Sequence, residues 1–211
     1  MENPFVLRPY ESAELFCDRE KETRDIIDDL ENGINVTLIS PRRYGKTGLV
    51  YHVFDELAKK RPSMTLCYCD IYSADNLEGF VKLLSESIVT NVKAEPTLKK
   101  FFSFFSGIRP LVSYDPVSGS PQVSITYQND GQKLSTLKSI FDFLGSQKKT
   151  FVIAFDEFQI IRNFKGVNME ALLRTYIQPL KNVRFVFCGS QKHIMTDMFV
   201  NEKSPFYEST H

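Results

Sequence analysis

Four short apolar runs, set between stretches of helical periodicity, constrain the fold of this chain more than any other feature. They are Val36–Ile39, Thr65–Cys69, Phe151–Phe155 and Arg184–Cys188. Each is continuous rather than alternating, as expected of parallel strands covered on both faces. Ile26, Ile27 and Leu30 mark a helix before the first run, and Leu49, Val50, Val53, Phe54 and Leu57 mark one after it, stopped near Pro62. Leu77, Phe80, Val81, Leu84 and Ile88 mark a third. Leu134, Leu137, Ile140, Phe141 and Leu144 lead into the third run, and Met169, Leu172, Leu173, Tyr176 and Ile177, ended by Pro179, lead into the fourth. Strands alternating with helices predict an α/β fold, a three-layer sandwich around a mostly parallel sheet.

One stretch breaks this rhythm. From Arg109 to Tyr127, β-forming residues flank the turn-rich Asp115-Pro-Val-Ser-Gly-Ser-Pro121, which predicts an inserted β-hairpin over about residues 108–128. The preceding Phe101-Phe-Ser-Phe-Phe105 is expected to be core beneath that hairpin rather than a docking surface.

Composition narrows the function classes. The 211 residues suit one compact unit, and 42% hydrophobic with 25% charged residues is ordinary for a globular chain. Lys plus Arg equals Asp plus Glu at 26 each, so nothing in the charge balance asks for nucleic acid, although Arg42, Arg43 and the hairpin remain open as local contacts. No apolar run reaches the ~20 residues that span a bilayer, and Met1-Glu2-Asn3-Pro4 does not begin a secretory signal. Cys67, Cys69 and Cys188 sit in apolar runs, and neither they, Cys17 nor the three histidines have zinc-site spacing. Reduced thiols and a cytoplasmic setting are expected, without membrane contact. A homo-oligomer or a protein partner stays open.

The first apolar run ends in Ser40-Pro41-Arg42-Arg43-Tyr44-Gly45-Lys46-Thr47-Gly48 and passes directly into a helix. The full phosphate-loop pattern has Gly where this chain has Ser40, and Gly-Lys-Ser/Thr alone arises by chance in about one chain in ten of this length. The strand–loop–helix setting is what raises the signal. Residues 40–48 would wrap the phosphates of a nucleotide, with Gly45 free to adopt unusual dihedrals and the first-turn amides pointing at the anion. Lys46 would meet the β- and γ-phosphates, and Thr47 would offer its hydroxyl to Mg²⁺. The bland alternative is a helix whose Lys and Thr face solvent.

The third run ends in Asp156-Glu157, at the strand end where open α/β sheets bind ligands. Asp156 is the candidate to hold Mg²⁺, directly or through water, and Glu157 is the candidate that orients and polarises an attacking water. The competing reading is a carboxylate pair that caps the next helix. After the fourth run, Ser190 is the candidate sensor of the γ-phosphate, with Gln191 as its alternative and a helix N-cap as the rival reading. Arg174 could stabilise transferred charge in a neighbouring protomer, against a surface salt bridge.

Phe16-Cys-Asp-Arg19-Glu20-x-Glu22, Asn35 to Thr47 with its Pro-Arg-Arg-x-Gly-Lys-Thr loop, and Phe155-Asp-Glu-Phe-Gln159 resemble the archaeal and bacterial STAND-type ATPases, AAA+-related proteins near the replication-initiator ATPases. Leu173-Arg174-x-x-Ile177-Gln178, Phe187-x-Gly189-Ser190 and Ser204-Pro-Phe-Tyr207 extend the resemblance to the C-terminus. It implies an AAA+-like P-loop NTPase core of five strands, ATP with Mg²⁺ as ligands, tolerance of Ser40, and Arg19 near the adenine, where a salt bridge to Glu22 or a neighbour is the alternative. It also implies a nucleotide-driven switch; a nucleotide-gated scaffold with negligible turnover is the second reading. Relatives usually continue into a helical or winged-helix lid, so residues 1–211 are expected to be the ATPase core alone, with the strand feeding the phosphate loop at a sheet edge.

Overall fold

The computed structural model describes Tyr10, Phe16 and residues 18–92, 94–105 and 110–210. Cys17, Arg109 and His211 therefore lie outside the described residues. In chain order the elements are α1 (Glu20–Glu31), β1 (Val36–Ile39), α2 (Lys46–Lys60), β2 (Thr65–Asp70), α3 (Leu77–Asn91), α4 (Glu95–Ser103), β3 (Leu111–Tyr114), β4 (Pro121–Ser124), α5 (Asp130–Gly145), β5 (Phe151–Asp156), a 3₁₀ helix (Phe158–Asn163), α6 (Met169–Ile177), β6 (Val183–Gly189) and α7 (Lys192–Val200). No helix among the described residues is long and apolar enough to cross a membrane.

β1, β6, β5 and β2 form a parallel sheet in that spatial order. Their registers pair Ile39 with Gly189, Phe155 with Phe187 and Asp70 with Asp156, so the carboxyl ends of the strands finish close to one line. Every residue of β5 is buried, and β6 is buried except at Arg184. The edge strands correct the expectation of full cover. β1 is buried only at Val36, and β2 only at Cys67 and Cys69, because each has a neighbour on one side alone. Among the described residues the sheet has four strands, with β1 at the edge as expected.

One face of the sheet is covered by α1 and α2. Leu49, Val50, Val53, Phe54 and Leu57 pack with Ile26, Ile27 and Leu30 over Val152, Ala154, Val186 and Cys188. Each such side chain contributes about 1.5–3 kcal/mol through burial. The other face carries α3, α5, α6, α7 and the 3₁₀ helix, packed around an aromatic cluster that includes Phe80, Phe155, Phe158, Phe185, Phe187 and Phe206. These are the three expected layers.

The hairpin is present, with β3 and β4 antiparallel and Val112 opposite Val123. Asp115 builds its turn by accepting from the amides of Val117 and Ser118, and Gly119 supplies the positive φ of 68°. Phe101 and Phe105 are core, as expected. Phe101, however, packs on Phe143 of α5 at 4.9 Å, whereas the hairpin lies against α3 and pins its Val123 amide to Glu86. α4, which carries Phe101, is an element that apolar periodicity does not reveal, being nine residues long with Pro at its first turn.

Candidate functional site

α3, α5 and α6 begin with an asparagine whose side chain accepts from an amide of the first turn. α2 begins differently. Its N-cap is Gly45 in the left-handed region (φ 72°, ψ 19°), with no side-chain cap, so its first-turn amides keep no side-chain acceptor. A Cβ at Gly45 would meet nothing within 4 Å, which leaves the loop open in front of those amides.

Lys46 is 8% exposed, and its Nζ donates to the carbonyls of Ser40 at 2.8 Å and Pro41 at 3.1 Å. No carboxylate pairs with it among the described residues. A buried ammonium held only by neutral carbonyls is an uncompensated charge, and an incoming anion would relieve it. Ser40 Oγ, at the start of the same loop, is buried without a hydrogen-bond partner. Arg19 donates from Nη2 to the Tyr44 carbonyl at 2.7 Å and so braces the loop from the start of α1; the alternative salt bridge to Glu22 is not formed. Arg42 lies over the Tyr72 ring at 5.3 Å, and Arg43 has a positive φ of 66°. Beside the loop, a cavity of about 350 Å³ is lined by Arg19, Glu22, Ile26, Lys46 and Leu49, among others. Gly48 lies close to another segment, since a Cβ there would sit 3.5 Å from the Phe16 ring.

The two acidic residues at the end of β5 are held by different partners. Asp156, 6% exposed, accepts at Oδ2 from Thr47 Oγ1 at 2.8 Å and from the Tyr68 hydroxyl, and at Oδ1 from the Glu157 amide at 2.9 Å. Burial first, and then the Asp156 carboxylate, push the Tyr68 phenol far up, so it remains a donor. Burial, with Asp156 and Glu157 nearby, also raises Asp70 against the pull of the Tyr72 amide. Thr47 and Asp156 form a hard oxygen pair that suits Mg²⁺. Among the described residues no cluster of three His, Cys, Asp or Glu could hold a metal alone, so an ion at this pair needs further oxygens from a ligand or water.

Glu157 turns the chain out of β5 in the left-handed region (φ 57°, ψ 40°), rare for a residue with a side chain. Its Oε2 accepts from Ser190 Oγ at 2.6 Å and from Gln159 Nε2 at 2.5 Å. Gln159 is 2% exposed and its Oε1 has no partner. β6 delivers Ser190 to this point because β5 and β6 are adjacent.

The structure thus joins Thr47 to Asp156, Ser190 to Glu157, and Lys46 to Ser40 and Pro41. Neither rival reading is seen: Asp156 and Glu157 cap no helix with their side chains, and Ser190 is not the cap of α7, whose N-cap is Gln191 without a side-chain bond. Arg174, half-buried on α6, makes neither a contact with these groups nor the surface salt bridge that was its alternative among the described residues. Tyr68 and Gln159 escape sequence reasoning. Tyr68 looks like one more strand residue, and the only signal for Gln159 is its position two residues after Glu157.

No family model matches the sequence, and no curated protein matches it. Solved structures do. A Walker-type ATPase of Pyrococcus abyssi superposes with a TM-score of 0.62 at 24% identity, over 98% of this chain and 55% of the other. Cdc6p of Pyrobaculum aerophilum gives 0.55 at 12% identity, over 91% and 44%. The ORC2 protein of Aeropyrum pernix, solved as ADPNP–ADP complexes, gives 0.50 at 19% identity, over 96% and 47%. The chain spans about half the length of these proteins. At such identities the likeness is one of architecture, and this chain has the α/β fold, with a mostly parallel central sheet, of Walker-type P-loop ATPases.

Proposed function

We propose that this chain binds ATP with Mg²⁺ at the loop between β1 and α2, hydrolyses it to ADP and phosphate, and uses its nucleotide state as a switch. The observation that carries the reading is Lys46, a buried ammonium without a counter-ion among the described residues, set beside a helix N-terminus that has no side-chain cap. The solved Walker-type ATPase and the ADPNP–ADP complexes among its structural neighbours support the same reading.

On this reading residues 40–48 bind the phosphates through backbone amides, and Lys46 leaves its two carbonyls to meet the β- and γ-phosphates. Arg19 braces Tyr44 and borders the cavity beside the loop, which takes the base. Thr47 and Asp156 hold Mg²⁺, which supplies charge neutralisation on the phosphates. Glu157 accepts a proton from the attacking water. Ser190 donates to Glu157 while the γ-phosphate is absent, and turning toward that phosphate releases the carboxylate, which couples nucleotide state to a side-chain rearrangement. Arg174, without an ion-pair partner among the described residues, is the candidate to reach a neighbouring protomer's site.

The scaffold reading draws on one observation, that Glu157 Oε2 already accepts two hydrogen bonds. Phosphate release under Mg²⁺ and ATP separates the two. Glu157→Gln should lower the rate about a hundredfold while ATP binding persists. Equally slow release by wild type and Glu157→Gln, with both binding ATP, would leave the scaffold.

A further inference from the structure

We infer that Tyr68, on the edge strand β2, is a positioning residue for the metal: its hydroxyl fixes the Asp156 carboxylate so that Mg²⁺ strengthens nucleotide binding. The inference rests on the nucleotide reading above and names a residue that the phosphate-loop and Asp-Glu motifs do not include.

The geometry explains why a tyrosine belongs here. β2 and β5 are in register, with Tyr68 beside Ala154 and Asp70 beside Asp156. Tyr68 lies on the α2 face, together with Ala154. A strand side chain leans along the strand, and the small Ala154 leaves the ring room to do so, toward the acid two residues further on. Two contacts fix the residue. The Tyr51 ring on α2 packs against it at 4.7 Å, and Ser87 Oγ on α3 donates to its carbonyl at 2.8 Å. The carboxylate it meets is then held at three points: Thr47 and Tyr68 on Oδ2 and the Glu157 amide on Oδ1.

Such a carboxylate cannot rotate to follow Lys46 or to turn toward solvent, so little ordering remains when a cation arrives. Thr47 keeps its hydrogen bond to Asp156 while its oxygen lone pairs stay free for a metal. Outer-shell donors of this kind are typically worth about tenfold or more in metal affinity. The competing account is that Asp156 merely satisfies a half-buried phenol, in which case Tyr68 matters to stability and not to the metal.

The test is the affinity of a fluorescent ATP analogue in EDTA and in saturating Mg²⁺, for wild type, Tyr68→Phe, Asp156→Ala and the double variant. Tyr68→Phe should leave the affinity in EDTA within about twofold, and should cut the strengthening by Mg²⁺ about tenfold. In the Asp156→Ala background the same change should do nothing further. A Tyr68→Phe protein with the wild-type response to Mg²⁺, or one weakened equally in both conditions, overturns the inference. So does a full effect in the Asp156→Ala background. Wild type that binds no nucleotide in either condition would instead overturn the underlying reading. If Tyr68→Phe does not fold, 3-fluorotyrosine at position 68 serves in its place. Its ¹⁹F resonance in the ATP-bound protein should shift on adding Mg²⁺, and a resonance that stays still contradicts the role.

Discussion

On the α1/α2 face of the sheet the buried side chains among the described residues are nearly all aliphatic or small, Val152, Ala154, Val186 and Cys188 under Leu49, Val50 and Val53, with Phe54 the one buried phenylalanine. On the opposite face Phe155, Phe185 and Phe187 stack along the sheet and meet Phe80, Phe158, Phe199 and Phe206 from the covering elements. The difference assigns each face a task. Large rings fill volume and fix the strands from below. Small side chains leave space for Lys46, Thr47 and Tyr68 to converge on the strand ends, where the chemistry is polar. The site therefore gains rigidity from the face it does not occupy.

The largest effect should come from breaking the aromatic face. Phe187, fully buried among five other phenylalanine rings, should cost about 3–5 kcal/mol as Phe187→Ala in chemical denaturation. Cys188, its neighbour pointing to the other face, should cost about 1 kcal/mol as Cys188→Ala. Equal losses would dissolve the distinction between the faces.

Next comes the junction of the two faces at Gly189. A Cβ there would lie 2.4 Å from Met195 Sδ and 2.6 Å from Gln159 Oε1. Gly189→Ala should destabilise by about 1–3 kcal/mol, and should also slow phosphate release by displacing the Gln159 that holds Glu157. Loss of stability without any change in turnover would uncouple the packed face from the site.

Gln159→Leu sharpens the same link more gently. It removes a donor to Glu157 together with an unpartnered buried oxygen, so the fold should change little. Steady-state kinetics should show kcat down about tenfold, equivalent to about 1.4 kcal/mol, at an unchanged KM for ATP. A raised KM with constant kcat would assign Gln159 to binding instead.

Asp70 should give the smallest effect. Asp70 is exposed at the end of β2, so partial desolvation and the charges of Asp156 and Glu157 raise it only as far as solvent screening allows, and folding weakly disfavours its charged form. Its contribution to stability therefore falls as pH rises from about 4 through the raised folded value, and remains lower above it. Asp70→Asn, which keeps an acceptor for the Tyr72 amide, should raise the melting temperature at pH 7 only slightly, because solvent screens a charge at this exposed position. The gain should disappear below pH 4. A gain that persists in acid would mean that charge crowding at the strand ends is not its cause.

How much of this was legible in the sequence follows from how local each signal is. The strands and most helices announce themselves through periodicity, because each buries a face. That Thr47 meets Asp156, and that Lys46 and Ser190 lie at neighbouring strand ends, was legible because each follows an apolar run whose end the parallel sheet brings to one side. The partial exposure of β1 and β2 was not, since strand order is a property of the whole sheet. Tyr68 is invisible for the same reason: its partner, Asp156, is 88 residues away and meets it only through the register of β2 on β5. Gln159 was hidden by a backbone detail, the left-handed Glu157, which carries the chain into the 3₁₀ helix on which Gln159 sits. Arg19 is suggested by resemblance alone, and its hydrogen bond to the Tyr44 carbonyl depends on how α1 meets the loop.

The central claim is that the uncompensated charge of Lys46 grips the phosphates of ATP. Its most direct test is equilibrium binding of a fluorescent ATP analogue in Mg²⁺, to wild type and to Lys46→Ala, with folding of both checked by thermal melts. The account predicts saturable binding by wild type, and a loss of about a hundredfold, about 3 kcal/mol, in a Lys46→Ala protein that remains folded. Equal affinity of the two folded proteins would contradict it.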